Sequence, residues 1–313
     1  MKRKIVQQGK SSMNISIPNA WIKRHGVEKG DEVDIEEKED NLVISSGKSA
    51  SYEEKVLDVR GLDKVSIKWH LLSLYCSGYD SLKVIFGDHA QIDNIQTFIS
   101  ELMGFSIMEQ RENYCIIRSI SQPVEEEFEP SLRRIFQVTL SISESTLDAL
   151  KKKDKKAFRP ILSMEKTCNS ISYFCIRLLN KKGYGPIYKT TYVNNLINRL
   201  ENISDTYGKM MAEIKEKDLD IDLSDDVLDV FKKTNGLLRS FYECFYSEDD
   251  EKLKEVSDEL ESDHDKMMEL LAGSNEIERR VIHFLILIRN HIGESLISLL
   301  ALSPNEDEKK KSK

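Results

Sequence analysis

The sequence predicts a mostly helical multidomain chain: a short β-rich head, a small α/β unit behind it, and a long all-α body. Three observations carry this. Six prolines and fourteen glycines in 313 residues are too few for the turns of an all-β protein of this size. Charged residues at 32% beside apolar residues at 40% suit long amphipathic helices better than sheets. The length also exceeds one ordinary domain, so two or three compact units are expected.

The head covers residues 1–46 and reads as strands. Met13 to Ile17 alternates, and Val33 to Glu36 and Leu42 to Ser45 follow turns at Lys29-Gly30-Asp31 and Asp40-Asn41. Pro18 opens a short helix through Trp21, Ile22 and Arg24 that Gly26 closes. So short a segment with so little apolar content cannot fill a core alone, which predicts a dimer. A linker at Ser45 to Ser51 leads to an α/β connector, residues 52–120. Its expected elements are strand Lys55–Arg60, helix Leu62–Tyr79, strand Leu82–Phe86, helix Gln91–Met103 and the hairpin Phe105–Gln110 with Tyr114–Arg118.

From 124 to 303 the chain is helical. Six amphipathic helices are expected over Glu126–Lys151, Lys155–Asn180, Ile187–Lys215, Asp225–Ser247, Asp249–Leu271 and Asn275–Leu300. In the third, Val193, Leu196, Leu200, Ile203, Tyr207, Met210 and Ile214 step by three and four residues, the mark of a bundle seam. Short connections make neighbouring helices antiparallel and divide the six into two three-helix bundles, about 124–217 and 222–303. The alternating acids and lysines of 304–313 predict a disordered tail.

Charge and cysteine usage narrow the function. The net charge is −8, yet from Met1 to Gly26 stand Lys2, Arg3, Lys4, Lys10, Lys23 and Arg24 with no acid. Five cysteines without a Cys-x-x-Cys pair point to reduced core thiols in the cytoplasm. The leader lacks the apolar run of a signal peptide. The most apolar window, Val281 to Leu300, carries His283, Arg289, His291 and Glu294, which reads as a buried bundle helix rather than a membrane insertion. No Ser/His/Asp or Cys/His set offers a nucleophile, so no enzyme is expected.

The run Gly9-Lys10-Ser11-Ser12-Met13-Asn14-Ile15-Ser16-Ile17-Pro18, then Trp21-Ile22-Lys23-Arg24 and Gly30-Asp31-Glu32-Val33, resembles the SpoVT/AbrB-type swapped-hairpin domain. The resemblance implies a β-barrel completed by two exchanged hairpins, with a basic face on duplex DNA. Lys2, Arg3, Lys4, Lys10, Lys23 and Arg24 are its candidate contacts, and cations held on strands release counterions when they meet phosphates. The bland alternative is a basic edge strand whose lysines only deter aggregation or hold the dimer.

The helices resemble the phosphate-uptake regulator (PhoU) family of tandem three-helix bundles, through Leu200-Glu201-Asn202-Ile203-Ser204-Asp205, Glu261-Ser262-Asp263-His264-Asp265 and Ile292-Gly293-Glu294. An AbrB-like head on such a body is an arrangement known among archaeal relatives. The resemblance implies metal ligands at Glu201, Asp205, Glu261, Asp265 and Glu294 for an ion such as Fe, Zn, Mn or Mg, and partners such as a phosphate transporter ATPase or a sensor kinase. Carboxylates four residues apart share one helical face and can share a cation, and the alternative for Glu201 and Asp205 is a solvated acidic margin, since the spacing recurs elsewhere, as at Glu144 and Asp148. The chain departs from the family pattern at Glu165 with Asn169, where a second acid is expected, and at Asn290 and His291; His264 and His291 are candidate substitute ligands, although a lone histidine on a bundle helix is more often a satisfied polar residue. A ferritin-like di-iron site needs two Glu-x-x-His words, and only Glu261 to His264 is present.

The expectation is therefore a cytoplasmic, dimeric, non-enzymatic transcriptional regulator of phosphate uptake whose body responds to a metal or a partner. The alternative is an adaptor that does not bind DNA and uses its head only to dimerise.

Overall fold

A computed structural model of the chain describes residues 2–9, 12–38, 41–46, 54–120, 125–247, 250–262 and 264–302. The chain divides into two compact units, Met1–Lys55 and Val56–Lys313. Lys10, most of the expected linker and the expected disordered tail lie outside the described residues.

The first unit holds two separate two-stranded antiparallel sheets. β1 (Val6–Gln8) pairs with β2 (Ser12–Asn14), and β3 (Asp34–Lys38) with β4 (Asn41–Ser45). Between the hairpins runs α1 (Asn19–His25), entered from Pro18 and ended by Gly26 at φ 59°, a left-handed turn that glycine takes without a Cβ penalty. Strand β2 ends at Asn14, so it is shorter than the alternation of Met13 to Ile17 predicts.

The second unit opens with the α/β connector. β5 (Lys55–Asp58), β6 (Ser81–Ile85), β7 (Phe105–Gln110) and β8 (Tyr114–Ser119) form a sheet in the order β5-β6-β8-β7. α2 (Lys64–Cys76) and α3 (His89–Ile99) cover one face. Both helices start on an aspartate: Asp63 accepts from the Ser66 N–H and Asp88 from the Gln91 N–H, each at 2.8 Å. Those caps explain why the helices begin beside the predicted limits. Gln91 is buried and fully used, donating to the Val59 and Leu62 carbonyls and accepting from Gly87 N–H. Leu82, Val84, Cys115 and Ile117 pack beneath Ile67, Leu71, Tyr75, Ile92 and Ile95.

The body consists of α4 (Phe128–Lys151), α5 (Phe158–Lys182), α6 (Ile187–Glu216), α7 (Asp225–Ser247), α8 (Asp250–Ser262), α9 (His264–Gly273) and α10 (Glu276–Leu302). The fifth expected helix corresponds to α8 and α9, with residue 263 between them outside the described residues. All seven seam residues of α6 are buried. α10 lies antiparallel to α6: Asn195 donates to Ser298 at 2.8 Å, Arg199 meets Glu294 at 2.5 Å, and Arg280 pairs with Glu213. One continuous hydrophobic core runs through all the helices, from Phe128 to Leu299. By length and composition α10 could cross a membrane, but Val281, Ile282, Leu285, Ile288 and Ile292 are buried in that core.

The connector is anchored to the body by one buried cation. Arg177 of α5 is 1% exposed and donates to the carbonyls of Tyr75 at 2.7 Å and Tyr79 at 2.8 Å. It also pairs with Asp80, which Lys181 meets at 2.7 Å, and its guanidinium lies over the Tyr75 and Phe105 rings. Asn180 donates to the Cys76 carbonyl and Ser170 to that of Glu101, so α5 holds α2 and the end of α3 along its length. No disulfide joins the five cysteines; Cys115, Cys168, Cys175 and Cys244 are buried and Cys76 is half-buried.

Candidate nucleic-acid interface and carboxylate cluster

In the head, every described candidate cation is exposed: Lys2, Arg3 and Lys4 ahead of β1, and Lys23 and Arg24 on the last turn of α1. Trp21 stacks on His25 with ring centroids 4.7 Å apart and stiffens that turn. Cations at a helix C-terminus also complement its dipole. Beyond Gly26 the charge reverses, with eight acids against Lys29 and Lys38 between residues 28 and 40. The net positive charge of the head thus lies before Gly26.

The head's apolar side chains are equally telling. Met13 is 68% exposed, Ile35 62% and Leu42 66%, and no described residue before Val56 is buried. The register sets Ile35 opposite Ile44, so the second hairpin carries an apolar stripe on which Ile35 and Leu42 are exposed. Two isolated hairpins with bare apolar stripes are marginal in water, and burial against further strands is what stabilises them.

In the body, Glu201 and Asp205 of α6 meet Glu165, Asn169 and Tyr173 of α5. The Asn169 amide donates to Glu165 Oε1 at 2.6 Å and to Asp205 Oδ1 at 3.2 Å, and the Tyr173 hydroxyl donates to Glu201 Oε1 at 3.4 Å. Lys209 stands 3.7 Å from Asp205 on the outer side. Gly208 leaves room for Glu165, whose Cγ would be 3.0 Å from a Cβ there. Burial, with the Asp205 charge added, pushes the Glu201 carboxyl up to about 7. Glu165 is also raised, by burial first and then by its hydrogen bond to Asp205, which two carboxyls can share only while a proton lies between them.

The other predicted metal ligands are not brought to this cluster. Glu294 is engaged by Arg199, and His291 Nδ1 lies 3.8 Å from the same carboxylate. Burial and then the Arg199 charge lower the pKa of His291. Glu261 and Glu294 border a cleft of about 320 Å³ with Arg289 and Asn290, and Asp265 is exposed on α9. The His264 side chain lies outside the described residues. The Asn169 carbonyl oxygen is buried without a hydrogen-bond partner, the one feature here that suits a hard cation. Against that, its amide nitrogen fills the space between Glu165 and Asp205. Among the described residues no three His, Cys, Asp or Glu side chains are placed to hold a metal ion. As arranged, the residues fit a shared proton better than a metal. Tyr173 and Gly208 escaped sequence reasoning, because neither carries a signal until α5 and α6 are packed.

Comparison with known proteins places the two parts separately. Residues 6–51 match the family profile described as antidote-toxin recognition MazE, bacterial antitoxin. Among solved structures, the phosphate transport system regulatory protein PhoU from Streptococcus pneumoniae is similar with a TM-score of 0.45 and 19% identity, over 56% of this chain and 93% of that one. No curated protein matches the chain. The head is thus similar to MazE-type antitoxin domains over residues 6–51, and the helical body is similar to PhoU.

Proposed function

We propose that the chain is a dimeric, non-enzymatic transcriptional regulator that grips duplex DNA with its head and couples that grip to phosphate status through its body. The observation that supports it best is that no described residue of the head is buried: it needs a second copy for a core. A dimer doubles the six cations of the first hairpin and α1 and sets both groups on one assembly, while the acidic second hairpin disfavours contact through any other face. The phosphate side of the reading rests on the sequence words of α6 and α10, and no step of it passes through a metal.

The MazE profile's own description, recognition of a toxin, supports a second reading in which the head meets a protein instead of DNA. A gel shift at two salt concentrations separates them. Steeply salt-dependent duplex binding that is lost on Lys23→Ala with Arg24→Ala supports the regulator. A dimer that leaves duplexes unshifted at both salts supports the adaptor.

A further inference from the structure

The first hairpin sorts its side chains by face. Its register sets Val6 opposite Asn14, Gln7 opposite Met13 and Gln8 opposite Ser12. Residues directly opposite one another, and residues two apart on one strand, share a face. Val6, Gln8, Ser12 and Asn14 therefore lie on one side, and Gln7 and Met13 on the other. The Asn14 amide donates to Gln8 Oε1, a diagonal contact that the shared face makes possible. All six residues are exposed. In the head dimer proposed above, the Met13 side gains from burial and the amide side does not.

Three properties of the amide side fit the edges of base pairs. Its sheet is a ribbon of two strands, a width that the major groove admits. No acid stands from Met1 to Gly26, so no carboxylate there repels the phosphates along a groove, whereas β3 of the second hairpin carries Asp34, Glu36 and Glu37. Its two largest polar groups are carboxamides, each with a donor beside an acceptor, the complement of adenine N7 and N6. Their bond to each other is exposed to water and worth little net, so exchanging it for a base edge costs little. Val6, directly across from Asn14, adds methyl groups of the kind that pack on the thymine methyl.

We infer that Gln8 and Asn14 read A·T base pairs in the major groove, with Val6 against thymine methyls, while the cations of the head hold phosphates and set the register. The inference rests on the DNA-binding reading above and deepens it by naming what the head recognises in the duplex. Phosphate contacts alone carry no sequence information. Asn14 lies two residues along β2 from Ser12, the residue opposite Gln8. That offset is about 6.7 Å, or two base-pair steps of ~3.4 Å. Each half-site of a dimer should therefore hold two A·T pairs two steps apart.

The test is selection of bound duplexes from a random pool by the full chain, then titration of the selected duplex and of a copy with those A·T pairs changed to G·C. The unaltered chain should prefer the selected duplex by at least ~10-fold. Gln8→Ala with Asn14→Ala should erase that preference while the mass in light scattering and the slope of log K against log salt stay, because the slope counts phosphates and not bases. Gln7→Ala, on the opposite side, should keep the preference. A preference that survives the double substitution, or one that is lost on Gln7→Ala, overturns the assignment. A salt slope that falls together with the preference overturns it as well, since the grip and not the reading has then been lost. Selected duplexes with no common A·T positions overturn the readout and leave the grip on DNA standing. An unaltered chain that binds no duplex overturns the DNA-binding reading and, with it, the inference.

Discussion

Replacing Glu201 by Gln tests whether the α5–α6 junction stores a proton. The carboxyl titrates at about 7 in the folded chain against an ordinary 4.5. Below pH 4.5 it is protonated in both states, and its contribution to stability is fully present. Between 4.5 and 7 the unfolded chain ionises while the folded chain keeps its proton, so stability falls as pH rises and levels off above 7. Two and a half units at 1.36 kcal/mol each give a loss of about 3 kcal/mol as an upper value. Glutamine cannot ionise and still accepts from the Tyr173 hydroxyl, so the variant escapes this loss. Urea denaturation followed by circular dichroism from pH 5 to 8 reads it directly. The variant should gain on the parent chain as pH rises, reaching about 2 to 3 kcal/mol at pH 8. Parallel curves for the two chains would refute the argument and show that the carboxylate is solvated or counter-charged when folded.

Arg177→Ala strips the Tyr75 and Tyr79 carbonyls and Asp80 of their donor, and should cost about 3 to 5 kcal/mol, as the loss of one partner from a buried charge pair does; faster hydrogen exchange in α2 and β6, with α7 unchanged, is the local sign. Lys23→Ala with Arg24→Ala should flatten the dependence of log K for duplex on log salt by up to ~4 for a dimer, at ~0.9 per phosphate contact. Gly208→Ala drives a methyl to 3.0 Å from Glu165 Cγ and should lower the melting temperature, with relief in a Glu165→Ala background. Elemental analysis of the purified chain should find less than one metal per chain, since among the described residues no three donors are grouped for one; one tightly held equivalent lost on Glu201→Gln with Asp205→Asn would contradict that.

Local chemistry made much of the fold legible from sequence. The three-and-four stepping of α6 survives as seven buried residues because amphipathic period and burial are the same fact. The Pro18-to-Gly26 helix and the breaks near Asp154 and Asp218 follow from start and stop signals, with Lys153 at φ 53° and Asp218 at φ 47° ending α4 and α6. β1 was hidden because three residues are too few to show alternation. The clamp at Arg177 was hidden for another reason: its partners lie 97 to 102 residues upstream, and an arginine on a long helix reads as a solvated side chain until its surroundings are known. The acid pair Glu201 and Asp205 was visible as spacing, but its contact with the Asn169 amide, a helix away, was not.

The exposed apolar stripes of the head make its completion by a second copy the central claim, and the mass of the intact chain in solution tests it most directly. Light scattering should give twice the 36.1 kDa of one chain, falling to a single copy on Ile35→Asp with Leu42→Asp. A 36.1 kDa particle from the unaltered chain at micromolar concentration would contradict it.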